Sequence, residues 1–157
     1  MKNEAAYTDY VKTPIGLLLV DATDDGVRAV NFVEKKTKPV MVNVWTQRCI
    51  EQLQQYFASE RRDFDLPLQT LGTQFQRQVW RQLCRIGYGV TASYGDIAKS
   101  IGNPAAVRAV GAANGKNPLA IIVPCHRIIG SNGTLTGYAG GLQRKEWLLK
   151  HEGALLL

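Results

Sequence analysis

Four consecutive residues, Pro124-Cys125-His126-Arg127, place a thiol, an imidazole and a guanidinium side by side. The thiolate is the nucleophilic form of cysteine, and nearby basic or cationic groups make it accessible. A general base plus an orienting carboxylate completes the usual activated-nucleophile arrangement. Between residues 73 and 157 there are three acids, Asp96, Glu146 and Glu152. Asp96 reads as a helix cap and Glu146 lies within a helix. Glu152 follows the helix expected over Leu142 to His151, which can bring it back to His126. Such a set supports nucleophilic attack by Cys125, with His126 as base and Glu152 as its orienting partner. The dipeptide alone leaves a second reading open, a buried cysteine beside a hydrogen-bonded histidine.

These residues need elements to hold them. Leu119 to Val123 is apolar and rich in β-branched residues, which predicts a buried strand that Pro124 ends by fixing φ. Asn117-Pro118 suggests a backbone turn near Cys125. Gly130-Ser131-Asn132-Gly133 reads as a turn, and Tyr138-Ala139-Gly140-Gly141 as a small-residue loop able to wall a pocket. Upstream, Thr73 and Gln76 form a capping box for a helix reaching about Arg85, with Phe75, Val79 and Leu83 inward and Cys84 structural. Ser93 and Asp96 form another, opening a short helix through Ile101. Gly102-Asn103-Pro104 then stops one helix and starts the next, with Asn103 as cap for Ala105–Ala113. Two short helices joined by a tight glycine turn make a helix-turn-helix pattern. The second consists mostly of Ala and Gly, with Arg108 its only long side chain, so its backbone can approach a groove closely.

The first part of the chain reads differently. Tyr7 to Lys12, Leu17 to Asp21 and Val27 to Val33 predict a small antiparallel meander, although the alternation in the last strand is not clean. A helix is expected from about Asn43 to Ser59, with Trp45, Cys49, Leu53, Tyr56 and Phe57 on one stripe. The expected organisation is an α/β (α+β) fold in two parts. Residues 1–66 form a small sheet-plus-helix domain, 67–72 a linker, and 73–157 a mainly helical domain carrying the chemistry.

Charge changes at the same boundary. Residues 1–72 carry 9 Lys/Arg against 10 Asp/Glu, whereas residues 73–157 carry 10 against 3. A basic half with so few acids suits a polyanionic partner. At 157 residues and 45% hydrophobic, the chain can bury a core. It has no apolar run near the roughly 20 residues that span a bilayer. Met1-Lys2-Asn3-Glu4 leads to no signal-peptide stretch, so an intracellular, cytoplasmic protein without membrane association is expected. Cys49, Cys84 and Cys125 are odd in number and widely spaced, which argues against a disulfide framework. With two histidines, His126 and His151, the inventory gives no metal site and calls for no cofactor.

Taken with its flanks, the reactive segment becomes specific. Ile122-Val123-Pro124-Cys125-His126-Arg127-Ile128-Ile129 resembles the active-site signature of the O6-alkylguanine-DNA alkyltransferases. The resemblance extends, in order, through Gly102-Asn103-Pro104, Arg108-Ala109-Val110-Gly111, Asn117-Pro118, Gly137-Tyr138-Ala139-Gly140-Gly141, Lys145-Glu146-Trp147-Leu148-Leu149 and His151-Glu152-Gly153. It covers about residues 73–153, and the preceding part is similar to the family's RNase H-like first domain.

The resemblance implies direct-reversal repair of double-stranded DNA containing O6-alkylguanine, and of O4-alkylthymine. The alkyl group would pass irreversibly to Cys125, once per protein molecule, after the nucleotide leaves the stack through the minor groove. It implies a role for His126 as base acting through a water, for Glu152 as its orienting partner, for Asn117 as holder of the turn, and for Tyr138 at the leaving guanine. Arg108 would fill the gap left by the base and Tyr94 would press on the backbone. Asn103, Ala109, Gly111 and Ser131 complete the implied DNA-facing set, and Val123, Ala139 and Gly140 the substrate pocket. A monomer is implied, with cooperativity along DNA left open. Some family members carry serine where this chain has Ala139, which removes one contact to the base. Others hold zinc in the first domain; Cys49 is the only cysteine in residues 1–72 and no histidine lies there, so none is expected. A non-enzymatic helix-turn-helix module that binds alkylated DNA, and a turnover cysteine hydrolase, are the competing readings.

Overall fold

The computed structural model describes residues 6–154. Met1-Lys2-Asn3-Glu4, read above for a targeting stretch, lies outside the described residues, as do residues 155–157. The chain divides into two compact units between Leu71 and Gly72.

In the first unit, β1 (Tyr7–Thr13), β2 (Gly16–Thr23) and β3 (Gly26–Val33) form an antiparallel sheet in the order β1-β2-β3. Tyr10 faces Leu19 across the first pair, and Leu18 faces Phe32 across the second. The register shifts at Asp21/Ala22, leaving Arg28 between two paired residues of β3. Such a bulge resets the two-residue alternation. Val27 and Val30, three residues apart, are consequently both fully buried, which explains the unclean pattern of that strand. Helix α1 (Val44–Phe57) packs across all three strands. Asn43 caps it: its side chain accepts from the backbone N–H groups of Trp45 and Thr46, and Asn43 N–H donates to Thr46 Oγ1. Cys49, Leu53 and Tyr56 point into the sheet side and are fully buried. Each large apolar side chain so removed from water contributes roughly 1.5–3 kcal/mol.

Only part of residues 67–72 acts as the expected linker. Val27 N–H donates to Pro67 O, and Gln69 N–H to Val27 O, both at 2.8 Å, so residues 67–69 run alongside β3. The unpaired edge of β3 needs these partners. The approach is close enough that a Cβ on Gly26 would collide with Pro67 O.

The second unit is mainly helical. It comprises α2 (Gln74–Leu83), α3 (Tyr94–Ser100), α4 (Val107–Gly115) and α5 (Leu142–His151). Both expected capping boxes form, Thr73 with Gln76 and Ser93 with Asp96. The α3–α4 pair takes the helix-turn-helix arrangement, and Trp80 Nε1–H donates to Ala113 O at 2.8 Å, fastening α2 to α4. A short parallel pair joins β4 (Ala92–Ser93) to β5 (Ile128–Ile129). Among the described residues no helix is long and apolar enough to cross a membrane.

Two local expectations are corrected. Asn103 does not cap α4; the cap position is Ala106, without a side-chain bond. Instead Asn103 O accepts from Ala106 N–H at 3.0 Å, which closes a turn whose second residue is Pro104, where fixed φ suits it. Leu119 to Val123 is not a strand. Ile122 N–H donates to Ala120 O at 2.8 Å and Val123 N–H to Leu119 O at 2.9 Å, giving a three-residue turn nested within a five-residue one. Ile121 has φ 71° at the centre of the three-residue turn. That combination is the rare, strained form of the three-residue turn, and a β-branched residue there is unusual.

Candidate active site

Asn117 builds the loop that ends at the thiol. Its side-chain N–H₂ donates to Val123 O at 2.8 Å and to Leu119 O at 3.3 Å, while its Oδ1 accepts from Leu119 N–H at 3.0 Å. One side chain thus replaces the strand ladder that the segment lacks. Pro124, at φ −82° and ψ 61°, then makes an inverse three-residue turn, with Cys125 N–H donating to Val123 O at 2.8 Å. Cys125, His126 and Arg127 form a single 3₁₀ turn that leads directly into β5.

Cys125 is 6% exposed. Burial raises its pKa above the ordinary thiol value, while a hydrogen bond from Asn117 and the charge of Lys145 pull it back. The resting group is therefore a thiol and needs a base.

His126 supplies a base of suitable form. It is fully buried, and its Nε2 lies 2.8 Å from Glu152 Oε2. Burial lowers the imidazole pKa, outweighing the pull of Glu152. Burial also pushes Glu152 upward, but hydrogen bonds from His126 and Arg127 prevail and hold its carboxyl at about 2. The pair is thus a neutral ring against a carboxylate, which fixes the tautomer: Nε2 carries the proton and donates it to Glu152. Nδ1 is left as the basic nitrogen, buried and without a hydrogen-bond partner among the described residues.

Arg127 turns toward Glu152 as well. Its Nε donates to Oε1 at 2.8 Å and its Nη2 to Oε2 at 3.0 Å, and Nη1 reaches Ile86 O. The guanidinium expected to act on the thiol instead fixes the carboxylate. The buried cation whose charge lowers the Cys125 pKa is Lys145, a residue that its sequence context does not mark out. Lys145 Nζ donates to Thr136 O at 3.1 Å.

Tyr138 keeps its hydroxyl buried, and the oxygen has no hydrogen-bond partner among the described residues. Burial raises its pKa, and the charge of Cys125 raises it further. The phenol proton therefore stays in place. Tyr94 Oη lies 2.7 Å from Thr136 Oγ1, and the Tyr94 ring faces Gly111 of α4.

Of the residues singled out, Cys125, His126, Glu152, Asn117 and Tyr138 converge on one centre. Arg108, Ala109 and Asn103 are exposed on and before α4, Gly111 is half-buried there, and Ser131 is exposed in the loop after β5. Ala139 is exposed and Gly140 half-buried, whereas Val123 is only 2% exposed. No group of three or more His, Cys, Asp or Glu among the described residues could hold a metal ion.

Residues 74–154 match the family described as 6-O-methylguanine DNA methyltransferase, DNA binding domain. Residues 6–70 match its ribonuclease-like domain. A methylated-DNA--protein-cysteine methyltransferase from Methanosarcina acetivorans is 49% identical over 154 residues, covering 94% of this chain and 99% of that protein. The protein of the same name from Mycolicibacterium paratuberculosis is 49% identical over 148 residues, covering 90% and 89%. The fold superposes on the Mycobacterium tuberculosis O6-methylguanine methyltransferase with a TM-score of 0.86 at 42% identity, covering 96% of this chain and 94% of that one. For OGT from the same organism in complex with DNA the TM-score is 0.85 at 44% identity, covering 95% and 92%.

Proposed function

The chain belongs to the 6-O-methylguanine DNA methyltransferase family, and from that premise we propose that it repairs duplex DNA by moving the alkyl group of O6-alkylguanine irreversibly onto Cys125. The observation that carries this is the state of His126. Its Nε2 proton is committed to Glu152 and its basic Nδ1 is otherwise unengaged.

The Cys125 thiol gives its proton to His126 Nδ1 through a bridging water. The sulfur attacks the alkyl carbon in line, so an S–C bond forms as the C–O6 bond breaks. The electron pair leaves on guanine, Tyr138 donates a hydrogen bond to the departing base, guanine takes a proton at N1, and the imidazolium returns its proton to water. The product is a thioether, which water does not displace, so each molecule acts once. The same displacement applies to O4-alkylthymine, whose alkyl group also sits on an exocyclic oxygen.

A buried thiol cannot reach O6 within a stacked duplex, so the nucleotide must be extruded at a cost of a few kcal/mol. Arg108 is the side chain suited to fill the gap from the small-residue surface of α4, as wedges do in other minor-groove proteins. The decisive experiment is intact-protein mass after mixing with a duplex holding one O6-methylguanine, followed by peptide mapping. One methyl group per protein, on the Cys125 peptide, is expected. Unchanged mass with bound DNA indicates a damage-binding module, and unchanged mass with repaired DNA indicates turnover.

A further inference from the structure

Lys145 is an unusual lysine. It is fully buried, and its ammonium is hydrogen-bonded to Thr136 alone among the described residues, with Oγ1 at 3.5 Å in addition to the carbonyl oxygen. Among the described residues no carboxylate lies at ion-pair distance from it; the lysine and arginine ion pairs are Arg28–Asp21, Arg127–Glu152 and Lys150–Glu146. It also sits in the first turn of α5, whose N–H groups make that end positive. A buried cation is costly unless an anion faces it. Helix α5, which carries Lys145, packs against the 3₁₀ turn of Cys125, His126 and Arg127, and Cys125 and His126 are the titratable groups whose charges couple to it. Glu152 is already engaged by His126 and Arg127. Tyr138 keeps its proton. Cys125 is the group left that can become an anion.

We propose that Lys145 is a positioning residue for the reaction at Cys125: its buried ammonium, anchored on Thr136, is the counter-charge for the thiolate that forms when the thiol gives up its proton. This rests on Cys125 being the alkyl acceptor. The anchor is itself braced, because Thr136 Oγ1 is bound by Tyr94 Oη at 2.7 Å. Charge placed in advance, in a water-poor site, where an anion will develop is an effective form of electrostatic catalysis. The resting site carries a positive charge that only the reactive state balances.

The test is the pH dependence of Cys125 carboxamidomethylation by iodoacetamide, read by peptide mapping, in wild type, Lys145→Met and Lys145→Arg. Cys84 is exposed and serves as the internal reference. In Lys145→Met the Cys125 profile should move to higher pH, and the rate near neutrality should fall about tenfold for every pH unit that the profile moves. Cys84 should be unchanged and Lys145→Arg should recover part of the loss. A Cys125 profile identical in Lys145→Met and wild type overturns the proposal. If Lys145→Met does not fold, wild type labelled with ¹⁵N-lysine decides it. The Lys145 titration should move once Cys125 is S-methylated, and an unchanged titration overturns the proposal. Failure of wild type to take up methyl from a methylated duplex would sink the acceptor reading itself, whatever the iodoacetamide profiles show.

Discussion

Arg127 and Glu152 are joined at two points, Nε to Oε1 at 2.8 Å and Nη2 to Oε2 at 3.0 Å, and the oxygen at the second point is also the one that His126 binds. The guanidinium therefore holds in place the carboxylate that sets the imidazole. Removing one partner of such a buried pair costs about 3–5 kcal/mol, because the other charge is left uncompensated. Arg127→Met should lower the unfolding free energy by that order in a urea titration. The Arg127→Met/Glu152→Gln double variant should lose less than the sum of the two single losses. Strict additivity would show that the pair is not coupled.

Acid should reveal the same carboxylate. The Glu152 pKa falls from 4.5 to about 2 on folding. A depressed carboxyl stabilises the fold fully above its unfolded pKa and loses that contribution as pH falls through the folded one. Between pH 4.5 and about 2, wild type should lose more stability than Glu152→Gln. Parallel stability curves for the two proteins across that window would contradict the assignment.

Asn117 makes three hydrogen bonds to the loop backbone, and Leu119 N–H depends on it. Leaving one buried donor without a partner costs about 1–3 kcal/mol. Asn117→Ala should show that loss in thermal unfolding and should also slow methylation of Cys125. Full-rate methylation in a destabilised Asn117→Ala protein would confine the residue to a structural role.

Arg108 stands exposed on α4, among small residues. If it replaces the extruded base, Arg108→Ala should slow methyl transfer from a duplex much more than transfer from the free methylated base, which should be nearly unchanged. Equal slowing of both substrates would remove that role. Binding of undamaged duplex should weaken steeply with salt, since counterions are released as basic groups meet phosphates.

Much of the site can be read from residue order. Cys125 and His126 are adjacent, and the period of α5 returns Glu152 to them, so the acid, base and thiol need only one helix to be right. The capping residues Thr73 and Ser93 announce α2 and α3 by local chemistry. The run Leu119–Val123 misleads because β-branched apolar residues signal burial, not a ladder. Beyond a single bridge at Leu119, its backbone is held by one side chain, Asn117, and by its own turns. Lys145 stands within a segment of the resemblance yet is given no role, for a related reason. It lies among Gln143, Arg144 and Glu146, a sequence that reads as a solvated helix face, and nothing in residue type distinguishes a buried ammonium from an exposed one. The bulge at Arg28 leaves a trace in the sequence, the broken alternation of β3, which gains its meaning from the register.

The bonds that prepare the thiol span long stretches of chain. Arg127 reaches Ile86 across 41 residues, and His126 reaches Glu152 across 26. Contacts so far apart in sequence form late, after the cost of closing the loops between them has been met. A growing or half-folded chain thus holds only an ordinary cysteine at position 125, one that gains its special chemistry when residues near 86 and 152 have both arrived. If, as proposed, each molecule acts only once, it is in this way spared from being used up by stray electrophiles before it is finished.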